Sequence, residues 1–228
     1  RANTRGFADH GWLKSHHTFS FAEYHNPARM PFGKLRVLND DVIEGGSGFG
    51  MHPHNNMEII SIPLTGALHH RDSSGSDDII AENKVQVMSA GKGIMHSEHN
   101  ALPDRDTNFL QIWIYPKTIN IDPRYSSRGF DPGLRKNTFQ LLVSPDGSLH
   151  SLPIHQKAWL SRITLDKHAT ADYNLYSETN GVYLFVIEGK ISVNDETLFK
   201  RDGAGINNQP AISIAALQQA DILLIETP

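Results

Sequence analysis

The chain has 228 residues, room for one large domain or two small ones at roughly 100–200 residues each, with a core that needs no covalent staples. Hydrophobic residues make up 39% and charged residues 20%, which excludes disordered and fibrous classes. A net charge of -4 argues against direct nucleic-acid binding, and the absence of cysteine removes disulfides, thiolate nucleophiles, iron–sulfur clusters and blue-copper sites. Any resident metal must then be held by nitrogen and oxygen. The longest apolar run, around 211–217, falls far short of the ~20 residues of a membrane-spanning helix. Cytoplasmic residence is the default expectation.

In chain order, short β-branched or aromatic runs bounded by Gly, Pro, Asn or Asp predict strands at 34–38, 57–62, 109–115, 181–187 and 221–225. Turns are expected at Thr65-Gly66, Ser74-Gly75, Asp146-Gly147, Glu188-Gly189 and Asp202-Gly203, where a residue of positive φ can reverse the chain. Few segments sustain a helical period, so the expected fold class is all-β, a sandwich or barrel. Residues 122–133, rich in Pro, Gly and charge, read as a linker. The halves on either side repeat strand, turn and strand, which fits two related β-barrels in tandem, with one large sandwich as the alternative.

Chemistry concentrates in the first half. His52-Pro53-His54 places two imidazoles on one strand face at roughly 6.6 Å spacing, and His96-Ser97-Glu98 repeats that geometry. On neighbouring strands, three imidazoles and a carboxylate would converge on a divalent first-row metal. Pro53 suits an edge or bulged strand, and Gly91-Lys92-Gly93 allows a bend that aims the second pair inward. The bland alternative is a set of surface or satisfied core histidines, which the pairing of two same-face motifs disfavours. Glu58 shares parity with 52 and 54 if the strand continues, so geometry leaves it open as a ligand. His16-His17 and His69-His70 can each aim at most one ring inward, and His99 has the wrong parity. Phe19, Phe21 and Tyr24 are either plain core or the wall of an aromatic pocket.

Gly46, His52-Pro53-His54 and Glu58 resemble the first cupin motif, and Gly93-Ile94-Met95-His96-Ser97-Glu98-His99-Asn100 resembles the second. The His-Pro-His form, with the pattern over 89–98, is similar to the pirin family, and specifically to bacterial pirin-like proteins described as quercetin 2,3-dioxygenases. The resemblance extends through Gly11-Trp12-Leu13, residues 15–21, 36–41 and 111–114, and Pro123-Arg124-Tyr125, and is weaker in the second half. It implies two tandem jelly-roll cupins: a metal-binding one over 1–124 and a degenerate one without metal over 125–228. It implies that His52, His54, His96 and Glu98 hold one divalent metal, iron first, with copper, nickel, manganese, cobalt and zinc also compatible. Glu58 then anchors structure instead.

The implied reaction is dioxygenation of a flavonol such as quercetin, an aromatic polyphenol. The heterocycle opens with loss of carbon monoxide, and Glu98 is the catalytic base for the 3-hydroxyl proton. The alternative is a non-catalytic redox sensor or regulator that contacts a protein partner. A cupin isomerase or a protein with structural zinc ranks last. A sensor can bury its metal, whereas an enzyme needs a cavity on the order of 300 Å³ or more. A monomer is the default expectation.

Overall fold

The computed structural model describes residues 1–228 and consists almost wholly of strands. The first half contains β1 (Gly6–Asp9), β2 (Leu13–His17), β3 (Leu35–Ile43), β4 (Gly48–His54), β5 (Glu58–Thr65) and β6 (Ala67–Asp72). It continues with β7 (Asp77–Ala81), β8 (Lys84–Ser89), β9 (Ile94–Asn100), β10 (Thr107–Ile114) and β11 (Arg124–Gly129). These make a seven-stranded sheet, β1-β2-β3-β10-β5-β8-β11, and a four-stranded sheet, β4-β9-β6-β7. Leu13, Ile43 and Phe109 from the first sheet bury their side chains against Leu68 and Ile80 from the second, closing the sandwich.

The second half contains β12 (Gln140–Ser144), β13 (Leu152–Pro153), β14 (Trp159–Leu165), β15 (Thr170–Asn174) and β16 (Gly181–Glu188). β17 (Lys190–Val193), β18 (Glu196–Phe199), β19 (Gly203–Ile206), β20 (Ala211–Ala216) and β21 (Ala220–Thr227) complete it. A six-stranded sheet, β13-β12-β14-β21-β16-β19, packs on a four-stranded sheet, β15-β20-β17-β18, through Ile163, Leu184 and Ile222 on one side and Tyr173, Ile191 and Ile214 on the other. The expected all-β architecture of two tandem barrels is therefore the one observed, and the single-sandwich alternative falls away.

The two large sheets share a core. Leu38, Ile60 and Ile112 from the first half and Leu160, Phe185 and Leu223 from the second belong to one buried cluster. Burying the outer faces on each other explains why β5, β10 and β21 are buried on both sides, since each strand faces its own partner sheet and the other half. Truncating one such residue to Ala costs about 2–5 kcal/mol.

Two expectations change. Residues 124–129, read as part of a linker that straddles a boundary at 124/125, form β11, which pairs antiparallel with β8 from Arg124↔Ser89 to Gly129↔Lys84. The first half thus extends to Gly129. The composition hid the strand because its pairing is set by backbone hydrogen bonds to β8, not by an apolar face. The turn at Asp202-Gly203 is made by Arg201, with φ 65°, and Gly203 opens β19. A side chain at Gly203 would strike the Tyr183 ring and hydroxyl, so glycine serves close packing there. The glycines at 66, 75, 147 and 189 all have positive φ, as expected.

Candidate metal centre

β4 is the edge strand of its sheet, so Pro53, which lacks an N–H, breaks no pairing on the outer side. A bulge between Phe49 and His52 separates the pairs Phe49↔Glu98 and His52↔His96. Before β9 the chain bends at Gly91 and Gly93, with φ 48° and 136°. A Cβ at Gly91 would collide with the Ile121 carbonyl, so the bend that delivers His96 requires glycine.

His52, His54 and His96 come together, with their nearest ring nitrogens within 4.8 Å of one another. Ring centroids lie 4.4 Å apart for His52 and His96, and 4.9 Å for His54 with either partner. Burial, reinforced by the neighbouring imidazoles, pushes His54 down to about 4 and His96 down to about 3. Both rings are therefore neutral at pH 7, the form that donates a lone pair to a metal.

Hydrogen bonds decide which nitrogen carries each proton. His52 Nδ1 lies 2.8 Å from the Gly50 carbonyl, so Nδ1 donates and Nε2 is left with its lone pair. A longer chain serves His96. Burial would raise Asp72, but donors from His70, Ser74 and Ser76 outweigh it and hold the carboxyl at about 2. The carboxylate accepts a hydrogen bond from His70 Nε2 at 3.0 Å, which leaves His70 Nδ1 as an acceptor 3.5 Å from His96 Nδ1. His96 Nε2 is then a bare lone pair, and it is buried without any hydrogen-bond partner. An orphaned imidazole nitrogen beside two others is what a metal would satisfy.

Glu98, 1% exposed, is fixed on both oxygens. Its Oε1 accepts from Gln86 Nε2 at 2.5 Å and lies 2.9 Å from Ser61 Oγ, while Oε2 accepts from Gln111 Nε2 at 2.6 Å. A further lone-pair position remains on Oε2. With His70 and His96 it forms a second cluster of converging donors, all buried. His96 thus belongs to both clusters, one with His52 and His54 and the other with Glu98 and His70, and nitrogen and carboxylate donors of this kind suit a divalent first-row ion.

Glu58 lies elsewhere. Asn56 takes φ 46°, which reverses the chain between β4 and β5 and ends the parity that would have carried position 58 to the same face. The Glu58 carboxylate accepts from Ser89 Oγ at 2.7 Å and lies beside His155 of the second half. His99 is exposed, as parity required.

A cavity of about 740 Å³ opens above the imidazoles. Phe21, Tyr24, Phe49 and Trp113 form much of its apolar wall, and Trp113 sets its edge against His54 with centroids 5.0 Å apart. Phe19 instead enters the shared core. Asp41 lines the cavity on the same β3 face as Asn39. Burial pushes it up to about 7, against the Ser15 hydroxyl that donates to it, with Asp40 and Glu98 adding to the rise. Trp113, Asp41 and Asp72 are the site residues that sequence reasoning passed over, and His70 is the inward ring of the His69-His70 pair. For His70 and Asp72 the signal was present: both share strand parity with buried Leu68.

The Pirin family profile matches residues 1–114, and a profile described as the quercetinase C-terminal cupin domain matches 141–227. A protein from Escherichia coli K12 named quercetin 2,3-dioxygenase is 43% identical over 228 residues, covering 100% of this chain and 97% of that one. This chain belongs to the pirin family. A pirin-like protein of Caulobacter vibrioides is 42% identical over 222 residues, covering 97% and 95% of the two chains. Among solved structures, the bacterial pirin YhhW of Escherichia coli in complex with nickel(II) matches this pirin with a TM-score of 0.94 at 42% identity, covering 100% of this chain and 97% of the other. A quercetin 2,3-dioxygenase from Acinetobacter baumannii shares the fold, with a TM-score of 0.77 at 18% identity over 97% and 83% of the chains.

Proposed function

We propose that this pirin is a metal-dependent quercetin 2,3-dioxygenase, with His52, His54, His96 and Glu98 as the ligands of one divalent ion. The observation that carries the reading is the cavity of about 740 Å³ that opens onto His52, His54 and Glu98, a size that accommodates a three-ring flavonol. A buried redox sensor would need no such space. The names of the relatives point the same way.

An ion bound here would supply Lewis acidity and open coordination positions for the flavonol and dioxygen. Iron is the first choice on family resemblance, and nickel is the ion held by the related YhhW. The protein's own residues do the rest. The aromatic wall of Phe21, Tyr24, Phe49 and Trp113 holds the flat substrate and excludes water. His17 Nδ1, Asn39 Oδ1 and Trp113 Nε1 line or edge this cavity, buried and without partners, ready for the hydroxyls of a polyphenol. Glu98 takes the 3-hydroxyl proton at Oε2, and Gln86, Ser61 and Gln111 keep the carboxyl in place as the proton arrives. Quercetin and one dioxygen give a ring-opened ester and carbon monoxide.

The test is aerobic quercetin turnover by protein loaded separately with iron, copper, nickel and manganese. Flavonol loss with matching oxygen uptake in at least one form is expected. Full metal occupancy with no turnover in any form would overturn the reading.

A further inference from the structure

A second cavity, of about 310 Å³, lies between the halves, away from the imidazole cluster. Arg1, Arg5, Arg29 and Arg201 line it, and no acidic side chain does. Arg5 and the 28–32 segment come from the first half, while Tyr183 of β16, Arg201, Gly203 and Gly205 come from the second.

The charges there are poorly balanced. Arg5 and Arg201 share one carboxylate, Asp40, at 3.3 and 3.5 Å, and Arg201 reaches half-exposed Glu188 only at 3.8 Å. Glu188 itself is taken up by Lys200 at 2.7 Å. Arg29 has neutral partners, the Thr18 carbonyl at 3.4 Å and the Thr4 hydroxyl, and makes no ion pair. Three guanidiniums against one shared carboxylate leave an excess near two positive charges. Arg1 is accounted for by Glu196 and Asp202.

Two polar groups there are buried and poorly satisfied: the hydroxyl of Thr18, a residue only 3% exposed, has no hydrogen-bond partner, and Nη1 of Arg201 has only the Asp40 carboxylate at 3.5 Å. Such groups in a polar cavity call for a ligand that accepts hydrogen bonds. Burial keeps the Tyr183 hydroxyl protonated up to about 12, so it too remains a donor. Phe19, Phe32 and Tyr183 meet edge to face at 5.2 and 5.7 Å, forming an aromatic wall beside the guanidiniums. Side chains at Gly203 and Gly205 would strike Tyr183 and Phe32, so these glycines let the rings approach β19.

We infer that this inter-half cavity binds a doubly charged oxyanion carried on a small aromatic body, as in an aryl phosphate. Arg29 and Arg201 grip the anion, Thr18 donates to it, and Phe19, Phe32 and Tyr183 receive the ring. Arginine suits the role because its planar fork matches phosphate oxygens in pairs.

Calorimetric titration of the metal-loaded protein with phenyl phosphate tests this. Saturable binding with a Kd below about 1 mM is expected, weakened about tenfold in Arg29→Gln and in Arg201→Gln and less in Arg201→Lys, which keeps the charge but loses the fork, with metal content unchanged in all three. Phenyl sulfate, singly charged, should bind several-fold more weakly. Absence of saturation up to about 10 mM, or native affinity retained in both glutamine variants, would overturn the inference. None of these outcomes depends on flavonol turnover.

Discussion

His96 Nδ1 lies 3.5 Å from His70 Nδ1, and His70 in turn donates through Nε2 to Asp72 at 3.0 Å. A carboxylate thus sets the tautomer of a candidate ligand through an intervening imidazole, and it is Asp72 that leaves His96 Nε2 bare. Replacing His70 by Gln or Asp72 by Asn should lower metal affinity by about 10–100-fold, the usual effect of removing a group that orients a ligand. Competition with a chromogenic chelator measures this. Unchanged affinity in both variants would remove the relay from the account.

Glu98→Gln replaces one acceptor oxygen with an amide that must face a Gln86 or Gln111 donor. A buried donor facing a donor costs about 1–3 kcal/mol of stability. Flavonol turnover, normalised to bound metal, should fall by about 100-fold or more, within the range for loss of a general base. Stopped-flow absorbance checks it, and turnover at the native rate would show that Glu98 is not the base.

Asp41 gives the metal-free protein a pH dependence. The native carboxyl holds its proton up to about 7, whereas the ordinary value of 3.8 governs the unfolded chain. Between those values the native state binds more protons, so stability falls as pH rises. The stabilisation is complete below the unfolded value and lost by about pH 7. Asp41→Asn should flatten this slope and raise stability at pH 7 by on the order of a few kcal/mol, at 1.36 kcal/mol per unit. Urea titrations at pH 4.5 and 7 measure the difference, and parallel pH profiles would refute it.

Trp113 presents a buried, unpartnered Nε1 and sets its ring against His54 and Phe21. Trp113→Phe keeps an aromatic wall and removes the donor. KM for quercetin should rise by about three- to tenfold, in line with about 1 kcal/mol for one hydrogen bond, while kcat changes little. Steady-state kinetics separates the two, and a fall in kcat alone would place the indole in the chemical step.

Residue type and spacing carried the metal cluster a long way: the His52/His54 and His96/Glu98 pairs depend only on strand parity, and parity survives folding. Glu58 was ambiguous because nothing in Asn55-Asn56 announces that Asn56 takes a positive φ and ends β4's alternation. β11 was hidden for a related reason, since Arg124 to Gly129 has no alternating apolar face and joins the sheet through β8. The arginine cavity is wholly non-local: Arg5, Arg29 and Arg201 meet only because the two halves pack together. The adjacent carboxylates Asp40 and Asp41 part company across β3, one toward that cavity and the other toward the imidazoles.

The most direct test of the central claim is carbon monoxide released per quercetin consumed under air, for each metal form of the native protein and of His54→Ala. The account predicts one carbon monoxide per flavonol in at least one metal form and none from His54→Ala. Native protein with full metal occupancy that releases no carbon monoxide in any form would contradict it.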